Sequence, residues 1–563
     1  MSNARVSQQA KGDAWQKRTV WDRLLEVAAA LPDKEFLITV DSTGKEARVS
    51  YGQVVDRADS LADSLIELGV FRGDKVALMM TNLDEWVVSL LAILRVGAIL
   101  IPVNTWSKDR EIEFVLRHSG ARHLILVDRF RQVDFTQVLQ RICPEWSDSV
   151  PGHLCSEALP DLRNVIVLQR VQGEGSKFAY RNAFDYHELV QAGEANRESL
   201  AHQESVAMVT PNDVATIMYT SGSSGSPKGA MLEQWGFVTA SELLAVRLSY
   251  GENDRWFGAY PFFHVGGSII GLMTTLVRGA TLIFCEAHDA ELEVSLVERE
   301  RATFHAAVAA VVLDQLEVLE RENRTLSVRV LMSNQLVEHW ETVKRRFGAQ
   351  TIIHQYGLTE AYGRNSSTAP TDSADQQRFT CGRPLDGVEF KVVDPSTGEE
   401  VAVGETGEPC LRGLVMRGYY HLPEGGEPAI DEDGWLHTQD LARVDKDGYV
   451  TYVGRLKAML KVGGENVAAE EVEQCIREMP GVLNCCVVPL PDERRDQVPL
   501  AFVSLSPGAS LSADEVIAWC STQLSRFKVP QRVEFLESLP RLSNDKIDRP
   551  ALMRQAEELA AVR

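Results

Sequence analysis

The chain has 563 residues, of which 44% are hydrophobic and 25% charged, with a formal net charge of −22. That length exceeds one ordinary core and predicts two or more domains of a globular enzyme. The acidic balance argues against nucleic acid or an anionic membrane as a main partner, and nine cysteines without C-x-x-C or zinc spacing point to a reducing, cytoplasmic setting.

Residues 1–18 have no apolar core and read as a flexible leader rather than a signal peptide. Helical spacing follows over 20–31 (Val20, Leu24, Leu25, Ala28, Leu31) and over 51–68. Residues 75–80 read as a buried strand and 84–97 as a helix. Short apolar runs at 124–127, 164–168, 280–284 and 328–332 continue an alternation of strands with amphipathic helices. That alternation predicts an α/β fold with layered, largely parallel sheets. The apolar stretches 90–103, interrupted by Arg95, and 306–313 are too short to cross a bilayer and read as core. Residues 170–212 are polar and broken, an excursion without predicted elements. From 387 to 455, Gly/Asp turns separate short β-like runs and predict a small β-rich part of a large N-terminal domain, 19–455. Residues 458–563 return to an α+β texture and form a small lid-like domain.

The sequence YTSGSSGSPKG at 219–229 follows an apolar run and gathers Thr220, Ser221, Ser223, Ser224, Gly222, Gly225 and Lys228. Glycines let backbone N–H groups turn towards an anion, and hydroxyls and an ammonium add donors, which is the chemistry of holding a polyphosphate. The spacing is not that of a P-loop, since Pro227 and Gly229 stand where it fails. In isolation such a loop reads almost as well as a surface turn. Further along come QYGLTE (355–360), GWLHTQD (434–440), GYVTYVGR (448–455), KVGGEN (461–466) and PRLSNDKIDR (540–549).

In this order and at these separations the six segments resemble the core motifs of the adenylate-forming superfamily, which comprises acyl-CoA synthetases, peptide-synthetase adenylation domains and beetle luciferases. The resemblance runs from about Trp21 to Arg549. It implies that residues 220–228 cradle the β- and γ-phosphates of ATP and that Glu360, with Thr220, holds Mg²⁺. Thr359 would lie at the α-phosphate, Tyr356 at the adenine, Asp440 on the ribose hydroxyls and Arg455 at the ribose or phosphate, with Gly357 and Tyr452 among the other cofactor-binding residues. The implied C-terminal domain turns about a hinge at 456–457. In one pose Lys546 bridges the acyl carboxylate and the α-phosphate. In the other the Lys461, Gly463 and Gly464 loop enters and the glycines let the pantetheine arm of coenzyme A pass.

The segment PFFHVGG (261–267) resembles the family's gate to the acyl pocket, with His264 near the carboxylate. It lacks the aspartate by which amino-acid-activating relatives grip an amine, which favours a plain, apolar carboxylic acid such as a fatty acid, with Gly266, Gly267 and Gly271 leaving room for it. Two departures stand near the nucleotide: LMSNQL (331–336) replaces a run of small residues, so Met332, Asn334 and Gln335 would crowd adenine or reshape the acyl pocket, and Gln439 replaces the glycine of T-G-D. The resulting expectation is an acyl-CoA synthetase using ATP, Mg²⁺ and coenzyme A. The alternatives are a relative that mainly passes a preformed acyl adenylate to coenzyme A, and a non-catalytic nucleotide binder. A carrier-protein thiol and luciferase-like oxidation stay open on motifs alone.

Overall fold

The computed structural model describes residues 5–6, 17–170, 177–193, 208–220, 227–334, 336, 339–395, 397–422, 428–456, 459–541 and 547–561. Strands that are apolar on both faces, joined by helices, must lie parallel and be covered on both sides. Lys75–Met79, Asp84–Val96 and Ile99–Pro102 are such a unit, and the strand pairing is parallel. Around it grows an eight-stranded sheet in the order Phe184–Asp185, Asn164–Leu168, His123–Val127, Lys75–Met79, Ile99–Pro102, Val214–Thr220, Lys228–Glu233, Gly418–Tyr420. The first six strands are parallel, and the last two add antiparallel. A second sheet of seven runs Thr351–Ile353, Val330–Met332, Phe304–Ala306, Arg255–Gly258, Thr281–Cys285, Glu35–Val40, Glu46–Ser50, parallel except for the last pairing. Asp84–Val96 is buried almost all round, as a helix between two layers must be, and one apolar core takes side chains from both sheets.

Local signals set the ends. Thr19 and Ser50 close capping boxes on Val20–Ala30 and Tyr51–Glu67, and Gly97 stops Asp84–Val96 in a left-handed conformation. Two expectations change. Arg5–Val6, read as part of a loose leader, pairs antiparallel with Glu389–Val393. The excursion at 170–212 contains the edge strand Phe184–Asp185 and the helix Tyr186–Gly193, which packs on Tyr51–Glu67; too short for periodicity to reveal, both are held by tertiary contacts. The β-rich part, read as belonging to the large domain, adds Gly418–Tyr420 to the eight-stranded sheet.

After residue 459 a separate sheet forms from Glu465–Ala468, Met459–Val462, Asp496–Leu505, Val482–Asp492 and Arg532–Phe535. Ala469–Arg477, Ala513–Gln523 and Arg549–Ala561 cover it, and its two apolar clusters draw only on residues beyond 459. It meets the rest of the chain through charge. Lys528 Nζ donates to Glu111 at 2.6 Å and to Glu471 at 2.8 Å, and Ser525 also donates to Glu111. Arg110–Glu478 (3.2 Å) and Arg494–Glu317 (3.3 Å) also link the two parts. No helix among the described residues is long and apolar enough to cross a membrane.

Candidate active site

Parallel strands leave their carboxyl ends facing one crevice, where α/β proteins bind ligands. Here the residues that follow those ends, Asn82, Trp106, Tyr260, Glu286, Val308, Asn334 and Gln355, all line one cleft of ≈ 1630 Å³. That volume exceeds the few hundred to about 1,000 Å³ of an ordinary small-molecule pocket and suits more than one ligand.

At one end Thr220 finishes a strand and Lys228 begins the next, directly opposite it in register. Thr220 Oγ1 donates to Glu360 Oε1 at 3.3 Å, and Tyr419 OH donates to the same oxygen at 2.8 Å. The Glu360 carbonyl accepts from Met416 N at 2.6 Å, which fixes the short turn Thr359–Ala361. Lys228 Nζ lies 5.1 Å from the centre of the Tyr419 ring. Ser221, Gly222, Ser223, Ser224 and Gly225 lie outside the described residues. Tyr419 carries no sequence signal, since only the antiparallel pairing of its strand with Lys228–Glu233 brings it here.

At the other end Tyr356 OH donates to Asp440 Oδ2 at 2.8 Å, and both residues are buried. The Tyr356 ring stacks on Tyr452 at 6.0 Å, and Lys461 Nζ stands 4.6 Å from the Tyr452 ring. Asp440 pairs in register with Arg455, whose side chain lies outside the described residues. Gln439 takes the left-handed φ of 59° that a glycine would take freely. Its backbone and side-chain nitrogens both donate to Glu408 Oε1, at 2.8 and 3.2 Å. His437 holds the other Glu408 oxygen at 3.0 Å and Asp431 at 3.3 Å. Cys410 and Glu408 together push His437 up to about 11, so it is protonated at neutral pH and both ring nitrogens donate. Glu408, Cys410 and His437 lie close enough to share an ion, but their hydrogen bonds already serve to hold the Gln439 turn.

The expected crowding of adenine is not what Met332 and Asn334 do. Met332 is fully buried in its strand. Asn334 donates to the Gln355 carbonyl and accepts from Gln355 N, both at 3.1 Å, so its amide is pinned to the backbone just before Tyr356. Gln335 lies outside the described residues.

Tyr260, Phe263, His264, Val265, Gly266, Ile270, Gly363 and Arg364 form a third wall. Residues Gly266–Met273 make a wholly buried π-helix, a rare form frequent at functional sites. Gly267 does not leave room for a ligand: a Cβ there would sit 2.2 Å from the Pro261 carbonyl oxygen, so the glycine lets two backbones touch. From the C-terminal part, Lys461, Gly463, Gly464, Glu465, Arg494, Arg495 and Asp496 also line the cleft. Gly463 and Gly464, with φ of 58° and 88°, make the two-residue turn of the hairpin Met459–Val462/Glu465–Ala468. A Cβ on Gly464 would lie 2.8 Å from Val308, so the turn's tip rests against the large domain.

Residues 24–420 match the family model of the AMP-binding enzyme, and residues 471–546 match the AMP-binding enzyme C-terminal domain. The chain belongs to the AMP-binding enzyme family. Among curated proteins it is 32% identical to YngI of Bacillus subtilis (strain 168), which bears the name of an acyl-CoA synthetase, over 95% of this chain and 97% of that protein. It is 29% identical to the mitochondrial medium-chain acyl-CoA ligase ACSF2 of Homo sapiens, over 96% and 88%. Among solved structures, the anthranilate CoA ligase AuaEII in complex with anthranoyl-AMP is 26% identical with a TM-score of 0.68, over 98% and 99%. A double mutant of Bacillus subtilis o-succinylbenzoate CoA synthetase shares the fold, with a TM-score of 0.76 at 23% identity over 95% and 98%.

Of the residues singled out from the sequence of this AMP-binding enzyme, Thr220, Lys228, His264, Tyr356, Gly357, Thr359, Glu360, Asp440, Tyr452, Lys461, Gly463 and Gly464 line the one cleft. Lys546 and the hinge residue Lys457 lie outside the described residues. Sequence reading missed Tyr419, Glu408 and Arg364, none of which sits inside a quoted motif.

Proposed function

We propose that this AMP-binding enzyme is an acyl-CoA synthetase: a carboxylic acid and ATP give an acyl adenylate and pyrophosphate, and coenzyme A then displaces AMP to give acyl-CoA. The observation that carries the reading is the convergence on one cleft of a hydroxyl–lysine–glutamate set, a buried tyrosine–aspartate pair and a glycine turn from the C-terminal domain. The acid-thiol ligases among its relatives support the same class of reaction.

The first half brings two anions together, so positioning and charge neutralisation are what the protein must supply. Lys228 and the Thr220 hydroxyl would meet the β- and γ-phosphates. Glu360 and Thr220 offer hard oxygen donors 3.3 Å apart, the donor type a small divalent cation takes, and magnesium held there would offset phosphate charge. The Asp440 carboxylate would accept the ribose hydroxyls while Tyr356 and Tyr452 flank the base. Thr359 and Gly357 would border the α-phosphate, and His264 the acyl carboxylate. Lys546, and Arg455 beside Asp440, complete the set carried over from the resemblance. In the second half the Gly463–Gly464 turn would border the pantetheine arm, and Val308 would form the facing wall.

The test is incubation with a panel of acids, ATP, magnesium and coenzyme A, with product masses read out beside matched acyl adenylates plus coenzyme A. Acid- and ATP-dependent acyl-CoA with equimolar AMP is the expected result. Acyl-CoA from supplied adenylates alone would overturn the ATP-dependent half.

A further inference from the structure

Arg364 is one of the largest fully buried side chains of the protein, with 1% of its surface exposed. Among the described residues none accepts a hydrogen bond from its Nε or from either terminal nitrogen. Leaving one such donor unmade costs about 1–3 kcal/mol, and an uncompensated buried cation costs several. Burial draws the guanidinium down to about 9, so it stays charged at neutral pH. No carboxylate forms an ion pair with it among the described residues, and several acids of the cleft are engaged elsewhere: Glu286 with Arg170, Glu293 and Asp314 with His288, and Glu360 with Thr220 and Tyr419. A native protein that keeps an unpaired charge in its wall calls for an explanation.

The position of Arg364 supplies one. It lines the cleft together with Tyr260, Gly266, Ile270 and Gly363, next to the π-helix. Gly363 packs within 3.1 Å of Val265 and Ile270, measured from where its Cβ would be, so the 363–364 backbone lies directly on that helix. Tyr260 is the titratable group whose charge acts on the guanidinium. An anion brought to Arg364 is therefore one carried on the acyl part of the substrate, not on the nucleotide.

We infer that Arg364 is a substrate-binding residue that takes a second carboxylate, so that the acid activated is a dicarboxylic acid. This rests on the acyl-CoA synthetase reading, and it departs from the apolar acid expected from the sequence. The planar guanidinium fork matches a carboxylate in bidentate fashion, which a hydroxyl or ketone does not use fully. One carboxylate attacks the α-phosphorus, releases pyrophosphate and ends as the thioester with release of AMP; the other stays ionised on Arg364 throughout. Since the nitrogens are covered, binding requires the Tyr260 ring or the arginine itself to turn to another rotamer.

The experiment compares octanoic with octanedioic, dodecanoic with dodecanedioic and benzoic with 1,4-benzenedicarboxylic acid, on wild type, Arg364→Met and Arg364→Lys, by acyl-CoA formation and by thermal shift. A site built for a polar substrate group rejects analogues lacking it by up to about 10⁴-fold. Wild type is expected to favour at least one diacid over its monoacid partner by about 10²-fold or more in kcat/KM. Arg364→Met should lose that preference and keep or gain on the monoacid, with Arg364→Lys between them. Arg364→Met without ligand should melt no lower than wild type, since it removes an unpaired charge. The favoured diacid should raise the Tm of wild type alone. Equal use of mono- and diacids by wild type, or equal loss on both in Arg364→Met, overturns the inference while leaving the synthetase reading standing. If no acid gives acyl-CoA yet a diacid still protects wild type and not Arg364→Met, the synthetase reading fails and the anion site stands.

Discussion

Two side chains, Tyr356 and Asp440, hold each other at 2.8 Å in a buried setting, and they come from motifs far apart in the chain. A buried carboxylate with a tyrosine on one oxygen is a fixed acceptor, and the proposed ribose contact would use it in both half-reactions. Asp440→Ala is therefore expected to weaken both by about 1–3 kcal/mol, a fivefold to 150-fold loss of affinity for ATP and acyl adenylate alike. Titration calorimetry with AMP checks this, and unchanged AMP affinity would remove Asp440 from the nucleotide site. How far the site was legible follows from such residues. Thr220, Lys228, Tyr356, Glu360 and Asp440 stand in glycine-rich or turn-forming strings whose spacing is distinctive. Tyr419 and Glu408 reach the cleft only by strand pairing, and Arg364 only by the packing of residue 363 on the π-helix, so no local pattern marks them. The departures at Asn334 and Gln439 were legible as departures, yet their effect was not. Asn334 bonds backbone, and Gln439 offsets a left-handed φ, worth about 1–2 kcal/mol, by two bonds to Glu408.

Between elements, His288 ties the helix Ala290–Arg299 to Ala309–Arg321, with Nδ1 on Glu293 at 3.0 Å and Nε2 on Asp314 at 3.1 Å. The hydrogen bond to Glu293 outweighs burial, and with Asp314 it raises His288 to about 9. A raised histidine stabilises fully below its unfolded value, about 6.5, and loses that stabilisation as pH rises through the folded one. The Tm difference between wild type and His288→Gln should thus be constant below about pH 6.5 and shrink towards pH 9; a pH-independent difference would show that His288 is not charged in the fold. The hairpin that carries Gly463 and Gly464 gives a second test. Leucine at 464 meets both the left-handed φ and Val308 at 2.8 Å. Gly464→Leu should slow thioester formation from a supplied adenylate by about tenfold or more, the effect of about 1.4 kcal/mol, and spare adenylation. Equal slowing of both steps would take this turn out of the thioester half. Elements long enough to show their period, such as Tyr51–Glu67 and Asp84–Val96, were readable within a residue or two. Phe184–Asp185 and Arg5–Val6 were not, because two-residue strands exist only through the sheet they join.

For the whole molecule, the proposed cycle needs the C-terminal domain to visit two poses, and charge holds the one seen here. Lys528 is buried between Glu111 of the large domain and Glu471 of its own, and although burial opposes its charge, the two carboxylates raise its pKa overall. Breaking a buried pair by removing one partner typically costs about 3–5 kcal/mol, against about 0–1 kcal/mol for the exposed Arg494–Glu317 pair. The contact at Glu111 therefore dominates the docking. Because Lys461, Gly463 and Gly464 line the cleft in this pose, it is the pose assigned to thioester formation. Glu111→Gln should then slow transfer from a supplied acyl adenylate to coenzyme A by about 10- to 10²-fold, through loss of population rather than of chemistry. Adenylation, which the resemblance assigns to the other pose, should hold or rise. Lys546→Ala is expected to do the reverse, blocking adenylation by about 10²–10³-fold and sparing the thioester step, since the resemblance assigns that lysine to the other pose alone. Rapid-quench measurement of each half-reaction in both variants separates the outcomes. Parallel losses in the two halves, in either variant, would mean that one domain arrangement serves both steps and that the Lys528–Glu111 pair only holds the fold together.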